Sequence, residues 1–217
     1  LKDNTLVIFL SDNGPWLSYG NHAGRADPFR SGKLTTWEGG LRVPCIAYWP
    51  GEIPAGQVSD SLVTSMDLLP TIAHIADTGL PERPIDGKNL WPLLSGEKSF
   101  QNPRETFYYY QTNELQAVRH GPWKLHAPHA YVEVDGEPGR DGKPANWNGL
   151  IPMTEAKSDP FSIAKRHGYR IEKTGWALYH LERDPGETNN VIDQNPKIVA
   201  KLKALLEAAR VDMGDSL

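Results

Sequence analysis

Two oxygen-bearing side chains follow directly after a short apolar run near the start of the sequence. The apolar residues LVIFL at 6–10 predict a strand that is buried on both faces, and we place the whole first strand at 5–11. The segment Ser-Asp-Asn-Gly-Pro follows at 11–15. Asp12 and Asn13 would then lie at the carboxyl end of a strand, where parallel α/β sheets bind ligands. Carboxylate and amide oxygens suit calcium or magnesium. Asp-Asn-Gly is also typical of an ordinary turn, so at this point both interpretations stand.

A loop of about thirty residues separates this strand from a second predicted strand at about 43–49. The loop is rich in Gly, Arg, Asn and His, and loops of this length inside a compact domain usually carry function. His22 and Arg25 lie in it, either as substrate-recognising residues or as polar residues of a loop without a ligand. Lys33 lies near its end, and an exposed loop lysine taken alone is usually only solvated.

The composition is that of an ordinary globular chain, long enough for one large core or two modest ones. Its 217 residues are 39% hydrophobic and 23% charged, with a formal net charge of −4. No basic stripe is present, so we expect no nucleic-acid partner, and no apolar run has the length of a membrane span. Cys45 is the one cysteine, which excludes an internal disulfide, and its apolar surroundings predict a buried core position.

The character of the sequence changes near residue 100, which predicts two domains, 1–100 and 101–217. The first is predicted to be an α/β domain, with a helix at about 67–78 whose N-cap would be Asp67. The second predicts a small antiparallel sheet with a packed helix, and its short strand-like runs lie at 106–110, 116–119, 123–126 and 175–181.

The clearest helix prediction comes near the end of the chain. Asn195 is placed to cap it and Pro196 to occupy its first position, where a missing N–H costs nothing. The segment 135–160 is rich in Gly, Pro, Asp and Asn, and predicts a long loop or insertion.

Several motifs occur along nearly the whole chain in an order that resembles one family, the type I (formylglycine-dependent) sulfatases of the arylsulfatase A and N-acetylgalactosamine-6-sulfatase kind. The resemblance implies an alkaline-phosphatase-like α/β fold, of which this chain would be the carboxyl-terminal portion. The motifs are SDNGP at 11–15, GKxTTWEGGxRVP at 32–44, AYWPG at 47–51, MDLLPTIA at 66–73, DGKNLWPLLSG at 86–96 and LYHLERDPGETNN at 178–190.

The resemblance also implies an activity, the hydrolysis of aryl or carbohydrate sulfate esters with calcium, so a sulfated small molecule or glycan is the expected partner. By position in the motifs, Asp12 and Asn13 would bind calcium. Lys33 would be catalytic, because it would contact the sulfate and stabilise the leaving oxygen. His22 and Arg25 are candidate substrate-binding residues. His129 is another candidate, since the resemblance suggests that a histidine just after the predicted strand at 123–126 lies over the active site.

The nucleophile of that family is missing from this sequence. It is a formylglycine, made from Cys or Ser in a C/S-x-P-x-R motif, and no such motif occurs here. We expect it in an amino-terminal half outside this chain, and we expect the isolated chain to be inactive. The sequence has no Asn-x-Ser/Thr acceptor, which favours a periplasmic or secreted bacterial protein over a lysosomal one. Two alternatives remain: a phosphoester hydrolase of the same superfamily, and a non-catalytic binding module.

Other polar residues of these motifs are expected to be structural. Glu38 and Arg42 flank Gly-Gly, and we expect them to hold the loop to a strand through charge-assisted hydrogen bonds. Asp184, Glu187 and Asn190 are typical of turns and caps.

Overall fold

The computed structural model describes residues 2–147 and 161–215, so the predicted insertion at 135–160 lies in part outside the described residues. The chain forms two compact units. The first comprises Leu1–Asp12 and Pro44–Glu105, and the second comprises Asn13–Val43 and Thr106–Leu217. The second unit therefore holds the long loop as well as the carboxyl-terminal half. The predicted domain boundary near residue 100 stays a prediction.

Helices and strands alternate irregularly along the chain. Short 3-10 helices lie at Lys2–Asn4, Leu17–His22, Ser65–Asp67 and Ile192–Gln194. The other elements are β1 (Val7–Leu10), α1 (Glu38–Leu41), β2 (Cys45–Tyr48), α2 (Leu68–Ile75), α3 (Trp91–Leu94), β3 (Thr106–Gln111), β4 (Glu114–His120), β5 (Trp123–His126), β6 (His129–Val134), α4 (Ser162–Arg166), β7 (Tyr169–Thr174), β8 (Ala177–His180) and α5 (Pro196–Met213).

In the first unit, β1 and β2 pair antiparallel, with Val7 opposite Tyr48. The prediction that the first strand is buried on both faces is wrong for this chain, since Phe9 is 64% exposed. The predicted core position of Cys45 is wrong for the same reason, because the residue is exposed. A two-stranded sheet can cover little of its own apolar surface, so its side chains stay accessible unless another layer packs on them.

Asp67 organises the start of α2, although not as the simple cap that the sequence predicts. The helix itself is shorter than predicted, Leu68–Ile75. The Asp67 carboxylate is buried, accepts hydrogen bonds from the backbone N–H groups of Thr64 (2.7 Å) and Lys88 (2.8 Å), and forms an ion pair with Arg104. It thus ties three separate segments together.

The second unit contains the predicted antiparallel sheet, in the order β3-β4-β5-β8, with α5 packed against it. Leu115 and Val118 of β4, Leu125 of β5 and one face of α5 contribute to its core, so the predicted helix is confirmed. Asn195 does precede α5, but its side chain donates to Val191 O and not to the helix terminus. The fully buried core members include Leu115, Val118, Leu125, Leu178, Leu202 and Leu206.

A second antiparallel pair, β6 with β7, was not predicted from the sequence. Val132, Ala164 and Tyr169 form a small buried cluster between this pair and α4. None of the helices in the described part of the chain is long and apolar enough to cross a membrane.

Candidate functional site

The long loop of the second unit folds back on the residues that follow β1. Gly14 donates its N–H to Gly40 O, and Lys33 donates its N–H to Pro15 O, each at 2.9 Å. The backbones approach so closely that a Cβ on Gly14 would lie 1.8 Å from Gly39 O. Glycine is required there because any side chain would collide with backbone. The SDNGP and GKxTTWEGG motifs are therefore brought into one structure.

A buried network of charged groups holds this loop against the sheet. Lys124, in β5, is fully buried, and its Nζ lies 3.0 Å from Glu38 Oε1 and 3.0 Å from Glu187 Oε1. The same ammonium donates to Thr36 O at 2.7 Å. Glu38 belongs to the loop motif and Glu187 to the turn after β8. One strand lysine thus links two motifs that lie far apart in the sequence.

Additional hydrogen bonds extend this network. Glu187 Oε2 accepts from the Glu38 backbone N–H at 2.7 Å, and Glu187 Oε1 lies 2.9 Å from His126 Nε2. The Tyr109 hydroxyl donates to Glu38 Oε1 at 2.9 Å. Buried charges are tolerated when they are paired and hydrogen-bonded in this way.

The network adds detail to two expectations from the sequence. Glu187 does close a turn, in which its N–H donates to Asp184 O at 3.1 Å, but its side chain is a fully buried ion-pair partner. Glu38 has the expected structural role, but its cationic partners are Lys124 and, at 3.8 Å, Arg119. The guanidinium of Arg42 lies instead over the ring of Phe29.

Lys124 was not identified from the sequence as part of a site, although one signal was present. A lysine in the middle of the apolar strand WKLH cannot be buried alone, so it requires a buried carboxylate. The sequence does not show which of many carboxylates that is.

The pKa values of the network follow from burial and from neighbouring charges. Burial by itself would raise the pKa of Glu187, but the Lys124 ammonium and the hydrogen bond from His126 lower it to about 2. Burial lowers the pKa of His126 to about 3, even though its hydrogen bond with Glu187 acts in the opposite direction. At neutral pH the pair is therefore a neutral imidazole donating to a carboxylate.

Trp37 lies at the centre of an aromatic cluster beside this network. Its ring is fully buried, and the Arg30 guanidinium stacks 3.6 Å from the ring centroid. Arg30 also donates to Glu187 O and to the Tyr131 hydroxyl, both at 3.2 Å. Arg30 and Trp37 therefore hold the loop in place.

His129, a predicted substrate-binding residue, is also part of this cluster. It is only 6% exposed, its ring centroid lies 6.3 Å from that of Trp37, and its Nδ1 hydrogen-bonds to Ala127 O at 2.8 Å. Burial lowers its pKa, against the effect of that hydrogen bond. Nε2 is buried and has no hydrogen-bond partner among the described residues. The prediction of a substrate contact stays a prediction.

The other predicted site residues lie at or near the surface. Lys33 is half-buried, with Nζ 5.7 Å from the centroid of the Trp16 ring. His22 and Arg25 are exposed, as is Asp12, whereas Asn13 is half-buried. Within residues 2–147 and 161–215, no group of three or more His, Cys, Asp or Glu side chains could hold a metal ion.

The chain matches two sequence models of one family of hydrolases. The model described as "Sulfatase" matches residues 1–78, and that described as "C-terminal region of aryl-sulfatase" matches residues 102–216, which is more than half of the chain. The chain belongs to the sulfatase family.

Individual relatives and solved structures agree with this assignment. Human N-acetylgalactosamine-6-sulfatase is 44% identical over 196 residues, covering 86% of this chain and 33% of the relative. An arylsulfatase of Hemicentrotus pulcherrimus is 38% identical over 190 residues, with 86% and 32% covered. The chain therefore spans about a third of the length of these relatives.

Solved structures show that the fold is also shared. The crystal structure of PsFucS1 sulfatase from a Pseudoalteromonas species superposes with a TM-score of 0.71 at 25% identity, covering 97% of this chain and 38% of that one. Ps i-CgsB, solved in complex with a neocarrahexaose, gives 0.62 at 26% identity, with 95% and 36% covered. The expected sulfatase fold, in its carboxyl-terminal part, is confirmed.

Replacing Glu187 by Gln should destabilise the second unit by about 3–5 kcal/mol, because Lys124 would lose one of its two buried carboxylates. The free energy of unfolding from urea titration measures the effect. Glu182→Gln, at an exposed position nearby, serves as the control and should change it by less than about 0.5 kcal/mol. Equal stability of the two variants would contradict the importance of the network.

Acid should destabilise the protein through the same groups. His126 and Glu187 both have lowered pKa values in the folded state, so the unfolded chain binds more protons between about pH 6.5 and pH 2. The free energy of unfolding should therefore fall as pH is lowered through this range. In His126→Gln the dependence between pH 6.5 and 4.5 should become flatter, and an unchanged slope there would contradict the assignment.

Proposed function

We propose that this chain is the carboxyl-terminal part of a calcium-dependent, formylglycine-type sulfatase that hydrolyses sulfate esters of sugars or aryl alcohols. A periplasmic or secreted bacterial enzyme is the form we favour. Family membership supports the proposal, and one observation carries it: Lys33 is held next to the SDNGP segment by its backbone hydrogen bond to Pro15 O. The backbone at Lys33 thus contacts the residue two positions after Asn13, one of the residues that we propose to bind calcium.

Lys33 has the chemistry that the reaction requires. Cleavage of a sulfate ester builds negative charge on the sulfate oxygens and on the departing alcohol oxygen. A fixed ammonium stabilises that charge most where water is partly excluded, because the local dielectric constant is lower. Lys33 is half-buried against the Trp16 ring, and the loop that carries it is anchored by Glu38 and Lys124. The loop that carries Lys33 is therefore held in position by buried contacts.

Asp12 and Asn13 are the residues that we propose to hold calcium. Their carboxylate and amide oxygens fit calcium in donor chemistry, but calcium takes six to eight oxygens, so two side chains form only part of a site. Calcium would supply positive charge to a bound sulfate. The formylglycine would supply the nucleophile from outside this chain.

His22 and Arg25 are proposed to bind the substrate, since both are exposed on the loop that precedes Lys33. His129 is proposed to take part through its Nε2, the nitrogen for which the described residues offer no hydrogen-bond partner.

Replacing Lys33 by Ala should lower kcat/KM for a sulfate ester by about 100- to 1,000-fold, since one stabilising cation is removed from the transition state. The assay uses the polypeptide encoded in frame with this chain, including the residues upstream of Leu1. Lys197→Ala, at an exposed position of α5, is the matched control and should retain full activity.

Three outcomes of that assay would contradict the proposal. Equal activity of Lys33→Ala and wild type would remove Lys33 from the mechanism. Turnover of phosphate but not sulfate esters would favour a phosphoester hydrolase, and no turnover of either would favour a binding module.

Replacing Asp12 by Ala should weaken calcium binding by at least about tenfold, because a charged oxygen ligand is lost. Isothermal titration calorimetry with calcium chloride measures this without any substrate. Asp60→Ala removes an exposed carboxylate elsewhere and should leave calcium affinity unchanged. If the two variants bind calcium alike, Asp12 is not a ligand.

A further inference from the structure

We propose that Trp16, Tyr19 and His167 bind the sugar ring that carries the sulfate, beside Lys33. The inference rests on the proposed function and extends it, since it assigns the contacts of the leaving group and favours carbohydrate over aryl sulfates. His167 has no part in any motif of the sequence, and it approaches the loop only through the fold.

The three side chains form one surface next to Lys33. Trp16 follows the SDNGP segment directly, and the Lys33 ammonium lies 5.7 Å from its ring centroid. The His167 imidazole packs 4.6 Å from the Trp16 ring, and Tyr19 lies 5.9 Å from His167 and 6.0 Å from Trp16, centroid to centroid. A group bound to Lys33 at the Trp16 ring would therefore lie beside an indole that itself contacts an imidazole and a phenol.

The backbone holds His167 in place. It ends α4, where its N–H donates to Ala164 O at 2.9 Å. Gly168 follows with φ at +80°, and a Cβ there would lie 2.3 Å from Ala145 O, so the turn requires glycine. Gly168 O accepts from Asp135 N–H at 2.9 Å. The imidazole is thus fixed by its neighbours on both sides.

The hydrogen bond to Tyr19 gives His167 a defined role. Nδ1 lies 2.8 Å from the Tyr19 hydroxyl. Burial and the nearby Arg166 lower the pKa of His167, so the ring is neutral at physiological pH. In either tautomer Nε2 can hydrogen-bond to a sugar hydroxyl, as a donor when the Tyr19 hydroxyl donates to Nδ1 and as an acceptor when Nδ1–H donates to the hydroxyl.

The burial of these residues distinguishes a binding surface from a core. Tyr169 and Ala164, which pack beneath, are 5% and 0% exposed. Trp16 packs against these residues and is only half-buried, as are Tyr19 and His167. Aromatic faces with polar edges suit a sugar ring, whose C–H groups pack on the ring while its hydroxyls form hydrogen bonds. An aryl group could stack there but offers no hydroxyl to Nε2.

The test compares an aryl sulfate with sugar sulfates as substrates of the in-frame polypeptide. The substrates are 4-nitrophenyl sulfate and a panel of monosulfated hexoses that includes galactose 6-sulfate. His167→Ala should raise KM for the preferred sugar sulfate about tenfold, with kcat and the aryl ester changed less than about twofold. Tyr19→Phe should act in the same direction by about threefold, and His74→Ala, at an exposed position of α2, should have no effect.

In this kinetic assay, two results for His167→Ala would overturn the inference. One is an equal loss of activity on the aryl and the sugar sulfate, which indicates a structural role. The other is no loss of activity on the sugar sulfate. Absence of turnover by the wild type would count against the proposed function alone. Calorimetric titration with the sulfated hexoses then decides the inference separately. It requires wild type to bind at least one of them, and His167→Ala to bind that sugar about tenfold more weakly. Equal affinities, or no binding by wild type, would overturn it.

Discussion

The ammonium of Lys124, held between the carboxylates of Glu38 and Glu187, is the interaction on which the second unit depends. A fully buried lysine would be strongly unfavourable alone, and two paired carboxylates with further hydrogen bonds make it tolerable. The three residues come from the loop, from β5 and from the turn after β8. This requirement holds the loop against β5, because moving Glu38 away would deprive the lysine of one of its two carboxylates.

The position of Lys33 follows from that constraint. Glu38 is five residues away on the same loop, and Trp37 between them is locked by Arg30 and the aromatic rings of the sheet. The glycines on either side allow the loop backbone to approach the residues after β1 closely. The buried ion pairs thus restrain the loop that carries Lys33, as the proposed contact of this residue with a sulfate would require.

Two motifs of the sulfatase resemblance contribute to the same buried network. The GKxTTWEGG motif contributes Glu38 and the LERDPGETNN motif contributes Glu187, almost 150 residues later. Either motif read alone looks like a loop or a turn. Together they form a buried structure, which explains why the second unit combines Asn13–Val43 with the carboxyl-terminal sheet.

The sequence by itself determined the family, the carboxyl-terminal sheet and α5, since motif order, strand-turn patterns and the helix period are local signals. It also identified Asp12 and Asn13 as candidates through residue types that suit calcium, and Lys33 through its place in the motif that resembles the family. Only the tertiary structure decided that Cys45 is exposed, that Glu187 is buried and that His167 lies beside Trp16. These features depend on which distant segments pack together, and burial and ion pairing between such segments leave no periodic pattern in the chain.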